Sequence, residues 1–178
     1  MTTLTWDREQ GHSFSYDVVG LGYNYRIDEI RSAIGLVQLK KLDENNRKRA
    51  YLTKYYMRKL GSVEEICIPF QQAKEGSSYH IFPIVLNQEF DRSAFMKFMK
   101  ANGIQTSIHY PPIHGFSAFR NGCKTEVALP RTEAIKHRLV TLPLYPSMQE
   151  SDIDYMAATI KNWLALQNAL KSSPVPLR

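Results

Sequence analysis

The segment His109–His114, which reads His-Tyr-Pro-Pro-Ile-His, holds the densest group of side chains that can do chemistry. Its imidazoles and the Tyr110 phenol can donate hydrogen bonds to a phosphate or hydroxyl, or move protons near neutral pH. Alternation of apolar and polar residues over Ile104–His109 predicts a strand that ends here, and ligand groups gather on loops held by strands. The alternative is a structural turn, in which the aromatic rings of this segment fill the rim of the fold and bind no ligand. Without a third ligand, His109 and His114 predict no metal site.

A second candidate site is the segment Gly22–Arg26, which precedes a long predicted helix. A helix N-terminus offers free N–H groups and the positive end of the helix dipole to an anion. Asn24 adds an amide donor and Arg26 a planar guanidinium. These features indicate a phosphate site. An ordinary helix cap, with Tyr23 and Tyr25 packed beneath it, is the alternative.

The apolar pattern predicts that this helix covers residues 27–61. Its first half, up to Leu42, carries apolar residues on more than one stripe, which predicts burial on several sides. Ile66–Pro69 and Tyr79–Leu86 are then predicted as strands. Pro83 favours an edge position or a bulge for the second strand, because proline has no N–H to give to a neighbour.

The remaining elements alternate between helix and strand. A helix is predicted to begin at Asp91 and end at Gly103, and a short helix to begin at Pro130. After a strand at Leu139–Leu144, the capping box Ser147-x-x-Glu150 opens the last helix, which is predicted to bury residues up to Leu170.

This order predicts an α/β fold in which helices cover a small sheet. The predicted organisation is an extended lead-in over 1–26, a connecting helix over 27–61, a small α/β domain over 62–171 and a disordered tail over 172–178.

Composition restricts the class of protein. Hydrophobic residues make up 43% of the 178 residues, which excludes disorder throughout. The sequence shows no apolar run of the roughly 20 residues that a membrane span needs and no signal-peptide pattern. The only cysteines, Cys67 and Cys123, form no disulfide framework, so a cytoplasmic location is expected. The net charge of +6 is a feature of many nucleic-acid-binding proteins. Here the basic residues are spread along the sequence, which favours a solvated helix face and no nucleic-acid partner.

Several motifs together resemble the DegT/DnrJ/EryC1/StrS family of PLP-dependent nucleotide-sugar aminotransferases. The resemblance covers Trp6 to Trp163, and the segments that carry it are Leu21–Leu36, Gln38–Asp43, Gly103–His114, Leu129-Pro130-x-x-Glu133 and Leu142–Met148. No single segment would suffice; their order makes the resemblance specific.

The resemblance implies the small C-terminal domain of a type I PLP-dependent transferase and a homodimer with shared active sites. Such enzymes transfer an amino group, usually from glutamate, to a keto sugar on a nucleotide, in amino-sugar and cell-surface polysaccharide biosynthesis. Asn24 matches the asparagine that binds the PLP phosphate of the other subunit. Arg26, His109 and Tyr110 match positions near the nucleotide sugar. His114 lies in the same motif and is assigned to substrate binding.

One departure from the family pattern decides what this chain is expected to do alone. The family's Schiff-base lysine lies a few dozen residues before the Gly-Tyr-Asn-Tyr-Arg motif, and residues 1–21 contain no lysine. We therefore expect the C-terminal part of such an enzyme, with no catalytic residue of its own, no PLP stably held and no activity in isolation. The alternatives are a non-catalytic dimerisation or ligand-binding module, which could pair with a separate PLP-domain half, and a basic nucleic-acid-binding domain.

Overall fold

The computed structural model describes residues 22–23, 25–71, 76–120 and 128–172. The predicted lead-in and tail lie mostly outside these residues. The chain divides into two compact units, Met1–Leu42 and Asp43–Arg178, and each is described by itself.

The long predicted helix is present as α1, Glu29–Leu60. Asp28 caps its start, because its Oδ1 accepts the Arg31 N–H at 2.8 Å. At the other end the Gly61 N–H donates to the Met57 oxygen at 2.8 Å. A side chain at Gly61 would collide with that same oxygen, which explains glycine at this position.

The predicted burial of the first half of α1 is wrong. Ile30, Ile34 and Leu39 are 76%, 56% and 65% exposed. Within the described part of its own unit, α1 is preceded only by the extended residues 22–23 and 25–28. The described residues of that unit therefore give the apolar stripes no second element on which to pack.

The second unit is a three-stranded antiparallel sheet packed with helices, in the order β1-β2-β3. Its strands are β1 Ile66–Cys67, β2 Phe82–Leu86 and β3 Leu139–Leu142. Its helices are α2 Arg92–Ala101, α3 Ser117–Arg120, α4 Pro130–Ile135 and α5 Glu150–Ser172, with a 3-10 turn at Ile113–Gly115. The predicted α/β class is therefore present, with a small sheet.

A single apolar core joins the second half of α1, the sheet, α2 and α5. The rings of Tyr56 and Phe82 stack with centroids 4.4 Å apart. Trp163 of α5 meets Phe95 of α2 edge-on at 5.0 Å. These buried aromatics fix the helices on the sheet, which in turn positions the loop that follows α2.

Pro83 does not place β2 at an edge: β2 is the central strand of the sheet. The Leu86 N–H donates to the Arg138 oxygen, and antiparallel alternation then turns the nitrogen of Pro83 away from β3. On the other side, β1 pairs only with Val85 and Leu86 and ends before it reaches Pro83. The missing N–H is therefore tolerated because no strand lies opposite it.

The strand predicted over Ile104–His109 is reduced to one bridge. Ser107 pairs with Thr141 of β3, donating at 3.0 Å and accepting at 2.8 Å. At its start the segment is still tied to α2, because the Ile104 N–H donates to the Met99 oxygen at 2.9 Å. The alternating pattern thus reflects a segment that touches the sheet at a single point.

Two details of the last helix also differ from prediction. Helix α5 begins at Glu150, so Ser147 is too far back to cap it. Instead the Asp152 carboxylate accepts the Gln149 N–H at 2.8 Å. Leu170, predicted buried, is 70% exposed because it lies beyond Trp163 and Leu164, the last residues of α5 in the core.

Candidate functional site

The loop after α2 places His109 and Tyr110 just beyond the edge of the sheet. Ser107, bridged to β3, has its Oγ 3.3 Å from His109 Nδ1. The rings of His109 and Tyr110 meet edge-on with centroids 4.8 Å apart, and the peptide bond between them is cis. Tyr110 is 72% exposed, so its ring does not fill a rim. The loop thus presents a half-buried imidazole and an exposed phenol just beyond the sheet.

His114 lies in the 3-10 turn and is bound to helix α4. Its Nε2 is 2.7 Å from Oε1 of Glu133, and the other carboxylate oxygen of Glu133 is 2.5 Å from Lys136 Nζ. Lys136, and after it His114, lower the pKa of the Glu133 carboxyl below its usual range. The carboxylate therefore stays charged and can orient the imidazole.

Glu133 is the site residue that sequence reasoning did not assign. It was visible only as part of the family segment Leu129-Pro130-x-x-Glu133 and as an acidic residue in the first turn of a short helix. Its contact with His114 spans 19 residues, a distance in sequence at which no local pattern predicts a pair. The structure thus joins two of the motifs that carry the family resemblance.

The other predicted site residues lie before α1, in the first unit. Arg26 is exposed, and Asn24 lies outside the described residues. Tyr23 and Tyr25 are 83% and 88% exposed, so they do not pack beneath a cap. The Asp28 carboxylate occupies the helix N-terminus, where it also pairs with Arg31 at 3.3 Å.

The described residues do not form a complete PLP site. Covalent attachment of PLP needs a lysine amine free to react. At the candidate site described above, the amine of Lys136 is paired with the Glu133 carboxylate at 2.5 Å. The imidazole and phenol donors and the carboxylate acceptor described here suit hydrogen bonds to a polar ligand rather than bonding to an aldehyde.

Within the described ranges, no group of three or more His, Cys, Asp or Glu side chains could hold a metal ion. Among the helices that the structure describes, none is long and apolar enough to cross a membrane.

Solved structures of related proteins share this fold. Helicobacter pylori PseC, an aminotransferase involved in the biosynthesis of pseudoaminic acid, matches with a TM-score of 0.76 and 26% identity, over 85% of this chain and 41% of its own. The sugar aminotransferase CalS13 from Micromonospora echinospora matches with a TM-score of 0.74 and 26% identity, over 90% of this chain and 41% of its own.

Sequence comparison agrees with the structural match. The uncharacterized protein MJ1066 of Methanocaldococcus jannaschii is 27% identical over 162 residues, which are 88% of this chain and 42% of that protein. The chain thus spans about 41–42% of the length of these relatives. The family description that matches residues 2–161 is that of the DegT/DnrJ/EryC1/StrS aminotransferases. With nearly its whole length matched, the chain belongs to the DegT/DnrJ/EryC1/StrS aminotransferase family.

Proposed function

We propose that this chain is the small-domain part of a PLP-dependent aminotransferase that acts on a keto sugar carried on a nucleotide. The observation that carries the proposal is the loop from Ser107 to His114, in which a sheet bridge at one end and Glu133 at the other hold two imidazoles and a phenol. Family membership and similarity to sugar aminotransferases support a sugar substrate. Members of the family are PLP-dependent.

Each of these side chains has a defined task in the proposal. His109 and Tyr110 donate hydrogen bonds to phosphate or hydroxyl oxygens of the nucleotide sugar. Glu133 engages Nε2 of His114, so a ligand is expected at Nδ1. Arg26 supplies a cationic fork for an anionic group, and Asn24 an amide for the PLP phosphate.

PLP supplies the electron sink for amino transfer once it is bound to the complete enzyme. This chain carries no lysine at the family's position, so we propose that the reactive amine comes from a PLP-binding part supplied in the same or another polypeptide. Alone, these 178 residues bind and orient the sugar substrate but do not transfer an amino group.

The test mixes the purified chain with PLP, glutamate and a keto nucleotide sugar, and measures amino-sugar product by mass spectrometry. We expect no product from the chain alone and product when a lysine-bearing PLP domain of the family is added. Turnover by the chain alone would show that an amine within it suffices. If the mixture stays inactive and NMR shows no nucleotide-sugar binding at His109 and His114, the assignment of this loop to the substrate is wrong.

A non-catalytic association module is the second candidate function. The exposed apolar side chains along the first half of α1 favour it, because exposed patches of this kind mark contact surfaces. The two candidates differ in the complementation experiment: an association module forms a complex with the PLP domain without restoring turnover.

A further inference from the structure

We propose that a cavity within the second unit binds an uncharged small molecule with an apolar body and one hydrogen-bonding oxygen. The cavity has a volume of about 310 Å³, within the size range of small-ligand pockets. It lies where the second half of α1, the residues after β1 and the start of β2 meet. Its apolar wall is formed by Met57, Ile68, Pro69, Ile81, Phe82 and Pro83.

The sheet explains why this space is open. β1 pairs with β2 only at Leu86 and Val85, and Pro83 offers no N–H to a further strand. Beyond β1 the chain turns at Phe70, which has a left-handed backbone with φ of 62°. Tyr79, on the same cavity, is also left-handed with φ of 49°. Bulky residues rarely adopt this conformation, and such strained positions cluster at ligand sites.

Thr53 of α1 indicates what the ligand must carry. It lines the cavity and is 5% exposed, and its hydroxyl has no hydrogen-bond partner among the described residues. A buried hydroxyl without a partner is unfavourable, whereas a ligand oxygen would satisfy it. The orphaned hydroxyl therefore predicts one polar contact beside the apolar wall of the cavity.

The charges around the cavity favour an uncharged ligand. Among the described residues, Lys54 is the only charged one that lines it, and Lys54 is exposed at the surface of α1. Apart from this exposed ammonium, the described wall carries no counter-charge, and a buried ion without one is strongly disfavoured.

Thr141 provides a matched control. It is also a buried threonine, 3% exposed, and its hydroxyl likewise has no partner among the described residues. It lies in β3 and does not line the cavity. Replacing either threonine by valine removes one orphaned hydroxyl at nearly constant shape, so only the position relative to the cavity differs.

The experiment titrates the full chain with p-cresol and with toluene, which differ by one hydroxyl, and follows the methyl groups of Thr53, Met57 and Ile81 by NMR. Both probes should shift these methyl signals, and p-cresol should bind more tightly. Thr53→Val should weaken p-cresol about fivefold and leave toluene unchanged. Thr141→Val should leave both affinities unchanged.

The proposal is overturned if neither probe shifts these methyl groups, or if the shifts fall elsewhere on the chain. It is also overturned if Thr53→Val and Thr141→Val have the same effect on p-cresol. These outcomes do not depend on amino transfer, so they are independent of the proposed function.

Discussion

The imidazole of His114 and the carboxylate of Glu133 meet at 2.7 Å across 19 residues of sequence. Their contact ties the loop that carries His109 and Tyr110 to helix α4. Because Glu133 also holds Lys136 at 2.5 Å, one carboxylate connects a histidine, a lysine and two separate segments of the chain.

This arrangement predicts a pH dependence of the free energy of unfolding. Lys136 first, and then His114, lower the pKa of Glu133 below its ordinary value of 4.5. A lowered folded-state pKa stabilises the protein above the unfolded value, and this contribution is lost as the pH falls through the folded pKa. Urea unfolding at pH 7 and pH 3 should therefore show that Glu133→Gln costs stability at pH 7 and little at pH 3.

Two further variants separate the contributions of Lys136 and His114 to the lowered pKa of Glu133. Lys136→Met should remove more of this pH dependence than His114→Phe, since Lys136 makes the larger contribution to the pKa of Glu133. An equal cost of Glu133→Gln at both pH values would contradict the prediction.

The buried hydroxyl of Tyr56 gives a second prediction. Tyr56 is fully buried, and its hydroxyl donates to the Pro143 oxygen at 2.8 Å. Tyr56→Phe should lower the free energy of unfolding by about 1–3 kcal/mol, because it leaves a partly buried acceptor without its partner. In the control, Tyr155 donates to the Asn102 oxygen at 3.0 Å but is 53% exposed. Tyr155→Phe should cost less, since water can replace its hydroxyl. Equal losses in denaturant unfolding would refute this account.

Features set by local chemistry could be predicted from the sequence. Asp91 caps α2, with its carboxylate accepting the Ser93 N–H at 2.8 Å. Gly103 follows the helix with φ of 73°, a conformation that glycine adopts at no steric cost. The predicted start and end of α2 therefore agree with the structure.

Features set by tertiary pairing could not be predicted in the same way. The position of β2 depends on where β1 ends, which the residues around Pro83 do not encode. The partner of His114 depends on a helix 19 residues away. The pattern over Ile104–His109 shows which side chains alternate, but not that only Ser107 reaches the sheet.

The aromatic cluster between α2 and α5 predicts a large effect of core truncation. Phe95 is fully buried against Trp163, so Phe95→Ala should cost about 3–5 kcal/mol in the free energy of unfolding. Leu170 lies on the same α5 helix but is 70% exposed, and Leu170→Ala should stay within about 0.5 kcal/mol of the parent. A Leu170→Ala loss close to that of Phe95→Ala would show that the end of α5 is buried in solution.

The first half of α1 predicts self-association or association with a PLP-domain part. Ile34 and Val37 are 56% and 49% exposed, and burying such side chains contributes about 1.5–3 kcal/mol each. Sedimentation at several concentrations should show a mass that rises with concentration. The double variant Ile34→Glu, Val37→Glu should weaken association at least about tenfold.

A second double variant tests whether the change in net charge alone could weaken association. Lys40→Gln with Lys41→Gln lowers the net charge by the same amount while the apolar stripe stays intact. It should associate like the parent chain. A parent that remains monomeric at high concentration, or equal effects of both double variants, would contradict an apolar contact surface here.

The last prediction separates cofactor binding from substrate binding in the complemented enzyme. If Asn24 binds the PLP phosphate, Asn24→Ala should release PLP more readily, because a hydrogen bond to a charged group contributes about 1.5–3 kcal/mol. That free energy corresponds to roughly a 10- to 100-fold weaker retention of PLP. His109→Ala should leave PLP retention unchanged and weaken binding of the nucleotide sugar, because His109 is assigned to the substrate. PLP retention is measured by absorbance after gel filtration, and sugar binding by calorimetry. Unchanged PLP retention in Asn24→Ala would remove that residue from the cofactor site, and PLP loss in His109→Ala would place the histidine there instead.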